Sequence, residues 1–185
     1  DVSTTTPATL APAVRGTAIQ ETPTLPDPNT TTTRPPPTTS PPPPPPPPSS
    51  IAAPPNSGTG RRVVYSKSRM RVWIIEANGA VARTYRVSGR LSQPAPGTYR
   101  VFSRSSYTCN IKATNVCMRW MVRFTKGPSG DNIGFHEIPR KNGVPVQSES
   151  QLGQALSAGC VRQATADAWV MWNWAGIGTK VVVLG

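Results

Sequence analysis

The sequence predicts a mostly-β domain with one helix near its C-terminus, carried behind a proline- and threonine-rich segment. Three observations predict it. Eighteen of the 23 prolines lie before Arg61, whereas all five tryptophans, all three cysteines and the lone histidine lie after it. From Arg62 onwards, short β-branched and aromatic runs alternate with turn residues at strand spacing. A single late stretch carries helix signals instead. The expected division is a disordered linker over 1–60 and one folded domain over 61–185.

Residues 1–60 hold almost no large apolar side chains, so they cannot bury enough surface to offset the entropy of ordering. Pro41 to Pro48 are consecutive, with fixed φ and no backbone donor. Polyproline II is the only regular conformation open to them, a rod of about 25 Å at ~3.1 Å per residue. The segment reads as a spacer, since no flanking charge pattern marks it as a proline-binding ligand. No stretch of the chain approaches the ~20 apolar positions of a membrane span. Its first residue is Asp1 rather than Met, which is compatible with a signal peptide or anchor upstream.

In the folded part, residues 62–66 (RVVYS) and 70–76 (MRVWIIE) read as strands, and Asn78-Gly79 as a hairpin turn into 81–87 (VARTYRV). Residues 98–104 (TYRVFSR) follow Pro94, Pro96 and Gly97 as a further strand. In 117–124 the alternation puts Met118, Trp120, Val122 and Phe124 on one face, and Arg119 and Arg123 on the other. The helix is expected to start at Thr165 as N-cap, with Asp167 in its first turn and Trp169 and Trp172 packing on a sheet. Residues 180–184 close the fold as a strand.

Charge divides at the same boundary. Residues 61–185 carry eighteen lysines and arginines against five acids, a net of +13, while residues 1–60 have a net of −1. Such a domain attracts anionic partners: nucleic acid, anionic lipid or the anionic polymers of a cell envelope. No nucleic-acid recognition motif is present.

Cys109 and Cys117 bracket a polar loop with strands on both sides, which suits a disulfide closing a hairpin in an oxidising compartment; the alternative is two free buried thiols. Cys160 is then unpaired. It lies among small residues in SAGCVR (157–162), before the helix and two residues from Arg162, a setting expected to lower its pKa. His136 stands in NIGFHEIPR. One unpaired Cys with one distant His is the minimal nucleophile–base pair, and the N–H groups of Gly159 and Cys160 are candidates for an oxyanion hole. With a single His, no metal-ligand cluster can be assembled.

GFHEIPR, followed 24 residues after its His by SAGCVR, resembles the active-site signature of the L,D-transpeptidases, the YkuD-type catalytic domain. PAPGTYRV (94–101), the meander at 62–89 and GTKVVV (178–183) are similar to further parts of that domain, so the resemblance covers 62–185. It implies a β-sandwich-like fold with one helix after the nucleophile loop. It also implies a thioester mechanism that forms 3→3 cross-links between peptidoglycan stem peptides, without cofactor or metal. Carried over residue by residue, Cys160 is the nucleophile and His136 its general base. Ser157 stabilises the loop, Gly159 gives the close backbone approach, and Arg162 anchors the loop or binds a substrate carboxylate. Ala158 departs from the family where many members have a second His, and Glu137 where a small residue is frequent. The resemblance further implies an extracytoplasmic, secreted or anchored monomer acting on stem peptides, held near anionic wall polymers and not on nucleic acid. The rival reading, prompted by Ala158, is a wall-binding module that keeps the fold and has lost the activity.

Overall fold

The computed structural model describes residues 52–110, 113 and 115–185. The proline run and its polyproline expectation lie outside the described residues. Strands β1 (Arg62–Ser66), β2 (Arg71–Ile75), β3 (Val81–Arg86) and β4 (Gly97–Arg100) enter a first sheet. Strands β5 (Ser103–Cys109), β6 (Val116–Lys126), β7 (Asn132–Glu137), β8 (Arg140–Lys141), β9 (Val144–Pro145) and β10 (Val161–Gln163) build a second. After helix α1 (Thr165–Trp174), strand β11 (Lys180–Leu184) returns to the first sheet. Strand order is β3-β2-β1-β11-β4 in one sheet and β10-β7-β6-β8-β9 in the other, with β5 also paired to β6.

The sheets bury one core. Val63, Tyr65, Val72 and Ile74 from the first meet Val122, Phe124, Ile133 and Phe135 from the second, with Met171 of α1 and its C-cap residue Ala175 closing the side. The Phe124 and Phe135 rings stack at 4.8 Å, and Tyr65 meets Phe135 edge-on. Each buried side chain of this size contributes about 2–3 kcal/mol. The outer face of the first sheet is also apolar: Val64, Trp73, Ile75 and Val182 are buried there, and Ala53 packs against them. The chain ahead of β1 is thus structured from residue 52. Arg62 donates to Ser57 Oγ at 3.1 Å and to the Gly60 carbonyl at 2.8 Å, and Lys180 donates to the Thr59 carbonyl.

Three local expectations change. The run 98–104 is two strands, because the chain crosses between sheets at Val101–Phe102: the Val101 N–H bonds Thr179 and the Phe102 N–H bonds Arg123. The alternation in β6 breaks at Trp120, whose φ of 60° lies in the left-handed region. Its ring turns onto Trp169 and Trp172 of α1, and Met121 joins Val122 in the buried set. Finally, α1 begins at Thr165 with Ala164 as cap residue, and the Thr165 hydroxyl donates to Glu137 instead of capping.

Candidate active site

β7 and β10 run parallel, with Phe135 opposite Val161 and His136 opposite Arg162. Phe135 and Val161 face the core, so period two turns His136, Cys160 and Arg162 to the other face. His136 is thus diagonal to Cys160 on the same face, and the thiol bonds the Asn132 carbonyl and not the imidazole. The strand order that creates this pair was not visible as a strand signal, since β10 has three residues and β7 holds a glycine.

β10 starts one residue after Cys160, which leaves backbone groups of β7 without ladder partners at that level. The sulfur takes their place: Cys160 Sγ donates to the Asn132 carbonyl at 3.5 Å and receives the Gly134 N–H. Burial pushes the thiol pKa up. The Gly134 bond, Arg123 and Arg162 pull it down without cancelling that push, and Asp131 adds to it. The expected lowering is therefore reversed, and the intervening β10 keeps the helix N-terminus five residues away.

His136 is fully buried, and burial lowers its pKa to about 4. The carbonyl of Glu137 opposes this, while Arg162 and Arg123 add to it. His136 Nδ1 lies 2.5 Å from that carbonyl. A carbonyl only accepts, so Nδ1 carries the proton and Nε2 keeps its lone pair. Glu137 itself is fixed by Arg119, whose N–H, Nε and Nη2 donate to its carboxylate at 2.8–2.9 Å. Its burial opposes ionisation, but these bonds hold its pKa below the usual value.

The loop that carries Cys160 is built by short-range bonds. Ser157 Oγ donates to the Cys160 carbonyl at 2.5 Å and accepts from the Gly159 N–H at 3.0 Å. The Gly159 N–H is thereby occupied. A Cβ at Gly159 would come within 2.4 Å of Gln93 Nε2, so the missing side chain makes room for Gln93. Gln93 and Arg90 both donate to the Ala158 carbonyl, at 2.6 and 3.3 Å. Arg162 donates to Gln147 Oε1 at 2.8 Å, and Gln147 donates to Ser88 Oγ at 2.9 Å. Backbone bonds between Ser88 and Arg162 clamp β10 from its free side.

Cys160, His136, Ser157, Gly159 and Arg162 thus converge, whereas the Cys109–Cys117 disulfide joins opposite residues of β5 and β6 further along that hairpin. Gln93, Arg90, Gln147 and Ser88 were missed, because their roles rest on contacts distant in sequence. Gly134 carried a readable signal, a glycine inside a strand marking a close backbone approach. A cavity of about 700 Å³, lined by Tyr107, Arg119, Glu137 and Arg140, does not include the thiol. No group of three or more metal-ligating side chains occurs among the described residues, nor does a helix long and apolar enough to cross a membrane.

Residues 60–183 match the family profile for the YkuD L,D-transpeptidase catalytic domain. Among solved structures, the L,D-transpeptidase (Yku) from Stackebrandtia nassauensis is similar at a TM-score of 0.52 and 19% identity, covering 69% of this chain and 56% of its own. The L,D-transpeptidase from Xylanimonas cellulosilytica gives 0.52 and 20%, over 70% and 62%. LD transpeptidase LdtMt1 in complex with imipenem gives 0.51 and 21%, over 69% and 60%. The chain thus spans between 56% and 62% of the length of these neighbours. No curated protein matches it by sequence.

Proposed function

The chain belongs to the YkuD family of L,D-transpeptidase catalytic domains, and from that premise we propose that it is an extracytoplasmic, cysteine-dependent transpeptidase acting on peptidoglycan stem peptides. The observation that carries this reading is the parallel register of β7 and β10, which makes Cys160 and His136 diagonal neighbours on one face. With a raised thiol pKa and an imidazole pKa of about 4, the resting pair is uncharged. His136 Nε2 takes the thiol proton as the sulfur attacks the carbonyl of the third, L-centre residue of the stem. The C–S bond forms, the oxyanion is met by the Cys160 N–H, and the bond to the terminal D-alanine breaks as the imidazolium returns its proton to the leaving amine. A side-chain amine from a neighbouring stem then attacks the thioester and expels the thiolate, giving a 3→3 cross-link. Ser157, Gln93 and Arg90 hold the loop in the attacking conformation. The disulfide suits an oxidising compartment, and the +13 charge suits an anionic wall.

Ala158 favours the second reading, an inactive wall-binding module of the same fold. Incubation with a carbapenem, read by intact mass, separates the two. A single adduct on Cys160 is expected; a folded protein without adduct would leave the binding module.

A further inference from the structure

The register of the second sheet forms a row across three strands and on to the residue just ahead of β10. Ser103 on β5 lies opposite Arg123 on β6, and Arg123 lies opposite Gly134 on β7. Gly134 is in turn level with Cys160, because Phe135 pairs with Val161. Val122 and Phe124 point into the core, so Arg123 points to the face that carries the thiol and the imidazole. Gly134 brings the two sides together: a Cβ there would meet the Val122 carbonyl at 2.5 Å and Arg123 Cα at 2.9 Å. Only a glycine lets β6 approach this closely.

The guanidinium of Arg123 is held by neutral groups. Its Nη1 donates to Ser105 Oγ at 2.9 Å and Ser103 Oγ at 3.5 Å, which draws it towards β5 and back from the sulfur. Its Nε and Nη2 make no bond among the described residues, and no carboxylate there pairs with it. That unused edge has the parallel N–H geometry that grips a carboxylate through two bonds. Arg162 is spent differently, in the half-buried Gln147–Ser88 network that supports β10.

We infer that Arg123 is a specificity-determining residue, binding the carboxylate of the residue that leaves when Cys160 attacks. Adjacent Cα atoms in a peptide are 3.8 Å apart, so that carboxylate sits about 4 Å beyond the attacked carbonyl carbon. The strand spacing of about 4.8 Å puts Arg123 two strands, or about 10 Å of backbone, from Cys160. An attack contact of about 3 Å, the ~4 Å from carbonyl to carboxylate and a hydrogen bond of about 3 Å together span that gap. The inference rests on the transpeptidase reading for the identity of the substrate, but not for the chemistry of the anchor.

The test uses two alkylating agents on the full chain, iodoacetate and iodoacetamide, which differ in carrying a carboxylate. In the wild type, the ratio of their rates at Cys160 is expected to exceed that of free cysteine by about five- to tenfold. Arg123→Gln should bring the ratio down to the free-thiol value, while Arg123→Lys keeps most of it. An unchanged ratio in Arg123→Gln would overturn the assignment. A cooperative denaturant melt reports whether a variant is folded. Should Arg123→Gln fail to fold, the wild type still decides: D-alanine should slow iodoacetamide and D-alaninamide should not, and equal effects would refute the anchor. Acylation by stem peptides then identifies the source. A terminal carboxamide should depress it if the leaving residue supplies the carboxylate; removing a carboxylate from the third side chain should depress it if that residue does, which would overturn the choice made here. Loss of the alkylation ratio in a protein that no stem or carbapenem acylates would leave the anchor standing and the transpeptidase reading refuted.

Discussion

Burial lowers the His136 pKa to about 4 and pushes the Cys160 thiol up; in the proposed mechanism the pair therefore rests as thiol and neutral imidazole, and the proton moves when attack begins. Two measurements follow. Acylation should stay on a plateau down to about pH 5 and fall with an apparent pKa near 4, not near the ordinary ~6.5 of histidine. An inflection at 6.5 in the stopped-flow profile would contradict the buried, neutral base. The same group links stability to pH. Unfolded His136 binds its proton below ~6.5 while the folded residue refuses it until about 4, so stability is lost as pH falls through that window, by about 3 kcal/mol in all. Denaturant melts at pH 7 and pH 4.5 in wild type and His136→Asn should differ by an amount that the substitution removes. Cys160→Ser should retain the fold and lose acylation to below about one per cent of wild type; turnover above that level would put the chemistry elsewhere.

At the scale of elements, the segment ahead of β1 is the sharpest case. Ala53 packs with Val81 and Leu184 on the outer apolar face of the first sheet, and Ser57, Thr59 and Gly60 accept bonds from Arg62 and Lys180. Relative to a chain that lacks residues 1–51, one that lacks 1–60 should be less stable by about 2 kcal/mol. Equal Tm values for the two truncations would show that the segment contributes nothing. Glu137 gives a second test: it ties β7 to β6 and to α1 through Arg119 and Thr165. Glu137→Ala should lower stability by about 2 kcal/mol, allowing for the exposed side of Arg119, and should lower acylation further by loosening the carbonyl that orients His136. The strands with unbroken β-branched runs, β1, β2 and β11, were legible in the sequence, as were the helix and the Cys109–Cys117 hairpin. Cys160 and His136 were candidates through their motif, and the register puts them on one face. β7 to β10 were not legible: Gly134 interrupts one, and the others have two or three residues and exist through pairing, not through propensity. Gln93 and Arg90 were invisible for the same reason, since only the tertiary fold brings them to the Ala158 carbonyl.

For the whole molecule, the charge of residues 61–185 should govern where the domain dwells. Retention on purified wall material should fall steeply with added salt, and stripping the anionic polymer from that material should abolish the salt dependence. Retention indifferent to salt would assign binding to the stem peptides alone. The parallel pairing of β7 and β10 has a different sort of consequence. His136 and Cys160 lie on separate stretches of chain, and the exposed Asn142–Gly143 turn between β8 and β9 lies between them. A break at that turn yields one piece with His136 and another with Cys160, and under the proposed mechanism neither is expected to acylate alone. Reassembly would restore the shared ladder and the reaction together, making the domain a two-part reporter whose signal is the covalent label itself.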